Sequence, residues 1–108
     1  MDNILKGLYE VVTERKANPQ EGSYTCYLFE KGLDKILKKV GEECAETIIA
    51  AKNKDKDELS NEICDLIYHL MVMMAESEVP LESVMEILET RRAKIGNLKT
   101  MRQTDKET

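Results

Sequence analysis

The chain has 108 residues, of which 42% are hydrophobic and 34% charged, and its formal net charge is −5. That length suits one domain with a modest core. The acidic balance excludes nonspecific nucleic-acid binding through a broad basic surface, and no run of apolar residues is long enough to span a bilayer.

In chain order, Ile4, Leu5, Leu8, Val11 and Val12 mark an amphipathic first helix, closed by the breaker run "ANPQEG" at 17–22. Ser23 suits the N-cap of a short helix, "YTCYLFEK", that ends at Gly32. A long helix is predicted from about Leu33 to Lys52, with Leu33, Ile36, Leu37, Val40, Cys44, Thr47, Ile48 and Ala51 on one arc. "NKDKD" at 53–57 is the connection, and Asp55 or Asp57 can cap the next helix. That helix, to about Ser77, carries Leu59, Ile63, Leu66, Ile67, Leu70, Met71 and Met74 on its apolar side. The methionine run at 71–74 is expected in the core or at a dimer interface. Pro80 suits the first turn of a last helix, with Leu81, Val84, Met85, Ile87 and Leu88 facing inward. The expected class is all-α, built on an antiparallel helix hairpin, with a single domain over 1–96 and a polar, mobile tail over 97–108.

The amino terminus lacks the apolar core and cleavage site of a signal peptide, so the expected location is cytoplasmic, with no membrane partner. Cys26, Cys44 and Cys64 form no CxxC pair and read as reduced thiols. Cys44 and Cys64 fall on apolar arcs, where small core residues are expected.

Two acidic phrases stand out: Glu43-x-x-Glu46 and Glu62-x-x-Asp65. Residues three apart share a helix face, so each pair can converge on one ion. Glu46 and Glu62 both lie eight positions from Lys54 in the connection, and Glu43 and Asp65 both lie eleven. In a hairpin they therefore meet at matching levels, roughly 12 and 16 Å from the turn. Facing carboxylates repel unless a cation stands between them, and all-oxygen ligation selects a hard ion, Mg²⁺ or Mn²⁺. The plainer alternative is a solvated acidic face. A calcium loop over "NKDKDELSNEIC" is excluded, because Glu58 replaces the required glycine and Cys64 the bidentate glutamate.

Lys35 and Lys39 lie on the stripe that leads to Glu43, and Lys38 precedes Glu42 by one turn. They can form intrahelical ion pairs or offset phosphate charge beside a metal. His69, the single histidine, follows Asp65 by one turn. It can orient a carboxylate, contact substrate or sit on the polar surface.

Together these residues resemble the phosphoribosyl-ATP pyrophosphohydrolases of histidine biosynthesis, within the MazG-like all-α nucleotide pyrophosphohydrolases. The likeness is carried by Glu42-Glu43-Cys44-Ala45-Glu46, by Glu62-Ile63-Cys64-Asp65, by "ERKANPQEGSYTCYLFEKGLDKILKKVGEE", and by "DLIYHL" at 65–70. It covers roughly residues 10 to 92 and implies the stand-alone form of the enzyme. It also implies hydrolysis of phosphoribosyl-ATP to phosphoribosyl-AMP and pyrophosphate, and a homodimer in which two hairpins complete a four-helix bundle. The expected roles are Glu43, Glu46, Glu62 and Asp65 as metal ligands, with Glu42 and Glu43 catalytic and Glu42 positioning the attacking water as base or binding a second ion. Lys35, Lys38, Lys39, Ser23, Tyr24, Thr25 and His69 are expected to bind substrate. A house-cleaning nucleoside triphosphate pyrophosphatase would share the metal site, and a non-catalytic helical interaction module is the other alternative.

Overall fold

Helical periodicity becomes five α-helices in the computed structural model, which describes residues 3–94 and residue 104; no strand occurs among the described residues. The tail expected over 97–108 lies, Thr104 apart, outside them. α1 (Ile4–Ala17) starts at Asn3, whose side chain accepts from the Lys6 amide at 3.1 Å. α2 (Tyr24–Lys31) is capped by Ser23, whose hydroxyl accepts from the Cys26 amide at 3.2 Å. Such caps satisfy amides that helix geometry leaves unpaired.

Gly32 joins α2 to α3 (Leu33–Lys52) without a spacer. Its φ of 93° and ψ of −177° belong to a region open essentially to glycine alone. The Gly32 amide donates to the Leu28 carbonyl at 3.0 Å, and its own carbonyl accepts from the Ile36 amide at 3.2 Å. One residue therefore ends one helix, starts the next and turns the corner between them.

α3 and α4 (Lys56–Glu76) form the hairpin. The Lys54 amide donates to Ala51 and the Asp55 amide to Ala50, the paired bonds of a Schellman ending, with Lys54 left-handed at φ 59°. Asp55 then caps α4, accepting from the Glu58 amide at 3.1 Å. α4 ends in the same way around Glu78, and α5 (Leu81–Arg92) follows Pro80. Pro80 is the N-cap, one position before the expected first turn.

Each helix contributes to one core: Val12, Leu28, Ile36, Met71, Val72, Ala75 and Leu81. Leu28 and Ile36 are fully buried, and truncating either to alanine should cost about 2–5 kcal/mol. Met71 and Val72 are buried and Met73 and Met74 half-buried, as the methionine run predicts. In α5, Leu81 is buried and Val84 and Met85 half-buried, but Ile87 and Leu88 are exposed, against expectation.

The broad apolar arc expected on α3 is divided. The buried residues are Ile36, Glu43 and Ala50, seven apart, with Val40 and Thr47 half-buried between them. Leu33, Leu37, Cys44 and Ile48 point outward, and Ile48 is 68% exposed. On α4, Ile63 and Cys64 are exposed too. Cys44 and Cys64 are thus surface thiols, not small core residues. The cause is that α4 covers only one edge of the α3 arc, and that edge includes an acid.

Candidate active site

The seam between α3 and α4 places Glu43 on one helix and Glu62 on the other, 6% and 9% exposed. The Thr47 hydroxyl donates to the Glu43 carbonyl at 2.7 Å and reaches the Glu62 carbonyl at 3.4 Å, fixing the levels at which the helices meet. One carboxylate oxygen from each of Glu43, Glu62 and Asp65 lies within 4.8 Å of the others. The Oε2 atoms of Glu43 and Glu62 are buried with no hydrogen-bond partner.

An orphaned, buried carboxylate oxygen costs on the order of 1–3 kcal/mol or more, and two at one site are not explained by folding. A hard cation resolves both. Oxygens that share an ion at about 2.0–2.5 Å stand no more than ~4–5 Å apart, a limit the three oxygens meet. The donor set, oxygen only, fits such a group.

The electrostatics agree. The Glu62 carboxyl is pushed up from 4.5 to about 8, first by pairing with the Glu46 and Glu58 carboxyls, which favours a shared proton, then by burial and by the charges of Glu46 and Glu43. Burial raises Glu43 as well, with the charges of Glu46 and Asp65 adding to it and those of His69 and Lys39 opposing it. Lys39 Nζ stands 3.8 Å from Glu43 Oε1. In the absence of a cation, this cluster holds protons that ordinary carboxylates would have lost.

Glu46 falls outside the tight triple but lies against Glu62, and the two border an open cavity of about 270 Å³ that Glu58 and Asp55 also line. Glu42 is exposed beside Glu43. Of the three lysines, Lys39 meets the acids, Lys35 is half-buried, and Lys38 faces solvent. Ser23 serves as a helix cap. Thr25 hydrogen-bonds Tyr68, and the Tyr24 hydroxyl lies 3.1 Å from His69 Nε2. His69 is 5% exposed, so it is not a surface histidine. Its Nδ1 lies 2.7 Å from the Asp65 carbonyl.

Sequence reasoning missed Thr47, Glu58, Tyr68 and Tyr27, whose ring stacks on Tyr24 with centroids 6.1 Å apart. The seven-residue spacing of Ile36, Glu43 and Ala50 was the available signal for the seam, and Thr47 lies on that stripe.

Residues 5–92 match the family described as phosphoribosyl-ATP pyrophosphohydrolase, a span that includes each residue named above as a site candidate. The chain belongs to that family. A protein of Clostridium botulinum (strain Kyoto / Type A2) named phosphoribosyl-ATP pyrophosphatase is 57% identical over 103 residues, covering 95% of this chain and 94% of its own length. Proteins of the same name from Clostridium novyi (strain NT) and Bacillus mycoides (strain KBAB4) are 57% and 51% identical, covering 95% and 97% of this chain and 96% and 98% of their own lengths. The matched span extends across the whole hairpin and both helices before it, and so is not confined to the acidic phrases.

Proposed function

We propose that this chain hydrolyses phosphoribosyl-ATP to phosphoribosyl-AMP and pyrophosphate, the second step of histidine biosynthesis, with Glu43, Glu46, Glu62 and Asp65 holding Mg²⁺ or Mn²⁺ against the triphosphate. The observation that carries the metal role is the pair of buried, unpartnered oxygens of Glu43 and Glu62, converging with Asp65. Family membership supports the substrate.

A divalent ion held there supplies a Lewis acid for the phosphoryl oxygens and neutralises polyphosphate charge. The chain's own residues do the rest. Lys39, beside Glu43, offsets the phosphate charge nearest the cluster, and Lys35 and Lys38 extend that positive edge along α3. Glu42, exposed next to the ligands, takes the proton of the water that attacks the α–β bridge. The start of α2, with Ser23, Tyr24 and Thr25, borders the nucleotide end.

The working unit is a homodimer. Leu33, Leu37, Ile48 and Ile63 leave the outer side of the hairpin apolar and exposed, and a second hairpin laid against it makes a four-helix bundle. Among the described residues no helix is long and apolar enough to cross a membrane.

Steady-state release of pyrophosphate from a panel containing phosphoribosyl-ATP and ordinary nucleoside triphosphates tests the reading. Preference for phosphoribosyl-ATP, abolished by a chelator and restored by Mg²⁺, is the expected result. Equal or faster turnover of ordinary triphosphates would assign a house-cleaning pyrophosphatase, and no turnover of any of them a non-catalytic module.

A further inference from the structure

His69 is the only histidine in the chain, is nearly inaccessible, and uses both ring nitrogens. The Asp65 carbonyl can only accept, so Nδ1 carries the proton and donates to it at 2.7 Å. In the neutral ring Nε2 is left as an acceptor, and the Tyr24 hydroxyl donates to it at 3.1 Å. One residue further along α2 and one residue back along α4, the Thr25 and Tyr68 hydroxyls are hydrogen-bonded to each other. Two consecutive residues of α2 therefore clasp two consecutive residues of α4, next to Asp65.

The rings close the gap. Tyr24 and Tyr68 stand edge-on to His69, with centroids 5.8 and 4.9 Å away. Tyr24 nonetheless remains 46% exposed. Its hydroxyl is turned inward to His69; beyond its burial, the charges acting on it are those of Lys39, Glu43, Tyr27 and Glu42, three of which belong to the proposed metal and phosphate edge. A half-exposed ring, stacked on Tyr27 and held by its inward hydroxyl at the border of that cluster, is suited to meeting substrate with the part that Tyr27 leaves open.

We propose that His69 is a positioning residue, anchored by the Asp65 carbonyl, that holds Tyr24 through Nε2 so that the Tyr24 ring forms one wall for the nucleotide end of the substrate. The role of the ring rests on the proposed function; the clasp does not. His69 itself is too enclosed to touch substrate, which separates it from the other candidate binding residues.

Because the histidine is unique, ¹⁵N-labelled protein reports its tautomer without assignment variants. At a pH where the imidazole is neutral, the spectrum should show Nδ1 protonated and Nε2 bare, and Tyr24→Phe should shift the Nε2 resonance. A ring protonated mainly at Nε2, or a resonance indifferent to Tyr24→Phe, overturns the clasp.

Kinetics then test positioning. Tyr24→Phe and His69→Leu should each raise KM about fivefold, the equivalent of one ordinary hydrogen bond, with kcat within about twofold. Calorimetric Mg²⁺ affinity without substrate should stay within about twofold of the parent. His69→Gln, which can still accept from Tyr24, should restore KM, and His69→Leu should add nothing to Tyr24→Phe when the two are combined. Additive effects, an unchanged KM, or a loss of Mg²⁺ affinity matching the change in KM each overturn positioning. Should His69→Leu fail to fold, Tyr24→Phe and His69→Gln carry the same comparison. A parent chain inert on phosphoribosyl-ATP sinks the proposed function, and the proposed wall with it, while the nitrogen spectrum still judges the clasp.

Discussion

The two sides of α3 invert the usual arrangement. Toward α4 the helix buries Glu43 between Ile36 and Ala50; away from it, Leu33, Leu37 and Ile48 are left in solvent. Burying a carboxylate while exposing isoleucine runs against both desolvation and the hydrophobic effect. A lone chain gains nothing from either choice. The inner seam makes sense with a cation between the helices, and the outer face with a second hairpin over it. Under the proposed function the two anomalies have one account, a cation for the acidic side and a second copy of the chain for the apolar side.

The largest expected effect comes from breaking the inner seam. Glu43→Gln and Asp65→Asn should each lower turnover by at least about 10²-fold in pyrophosphate release, since each withdraws a charged ligand oxygen from the cluster. The metal-free proteins should melt at the same temperature as the parent or higher, because a buried, repelling charge has been removed from Glu43 or from its neighbourhood. A marked fall in melting temperature in chelator would turn Glu43 into a structural residue and end the contrast between the two sides.

Ile48→Glu attacks the other side. At 68% exposure Ile48 has little to lose within its own chain, so the substitution should leave helicity intact. It should weaken self-association by roughly tenfold or more, read as a shift from dimer to monomer mass in light scattering at micromolar concentration. An unchanged mass would contradict the proposed dimer face.

A third effect concerns pH and the inner seam alone. The unfolded chain ionises Glu62 near 4.5, whereas the folded, metal-free chain keeps its proton until about 8. The folded state therefore binds the extra proton between those values, and the resulting stability, full at the acid end, is lost as pH rises through about 8. Melting temperature in chelator should be lower at pH 9 than at pH 6, Glu62→Gln should flatten that fall, and Mg²⁺ should reverse it. A Glu62→Gln profile parallel to that of the parent contradicts the assignment.

How far these sides could be read from sequence depended on what was local. Helix positions, the Ser23 cap and a cap at Asp55, one of the two aspartates considered, follow from local spacing, and counting from Lys54 brings Glu43 level with Asp65; the structure agrees on these, while Glu46 stays outside the triple. Cys44 and Cys64 failed because a helical wheel identifies an apolar arc without saying which neighbour covers it. For His69 the polar-surface alternative failed, for the complementary reason. Its side of α4 reads as polar, yet α2 folds over it, and that placement depends on the corner at Gly32 and on partners 45 residues away. The depth of Glu43 and Glu62 was hidden too, since their neighbours on the wheel placed them at a border and packing drew them inside.

The smallest effect sharpens the comparison without touching either side. The turn at 53–55 sets the register in which Glu43 meets Glu62, and its left-handed position is occupied by Lys54 rather than glycine. A left-handed conformation costs a residue with a Cβ roughly 1–2 kcal/mol, part of which glycine returns through its greater freedom when unfolded. Lys54→Gly should therefore stabilise the chain by about 1 kcal/mol in denaturant titration, with pyrophosphate release and Mg²⁺ affinity unchanged, because the Schellman bonds to Ala51 and Ala50 use backbone atoms only. If stability rises but metal affinity falls, the lysine side chain is taking part in holding the seam, and the register of the acids is not set by backbone geometry alone.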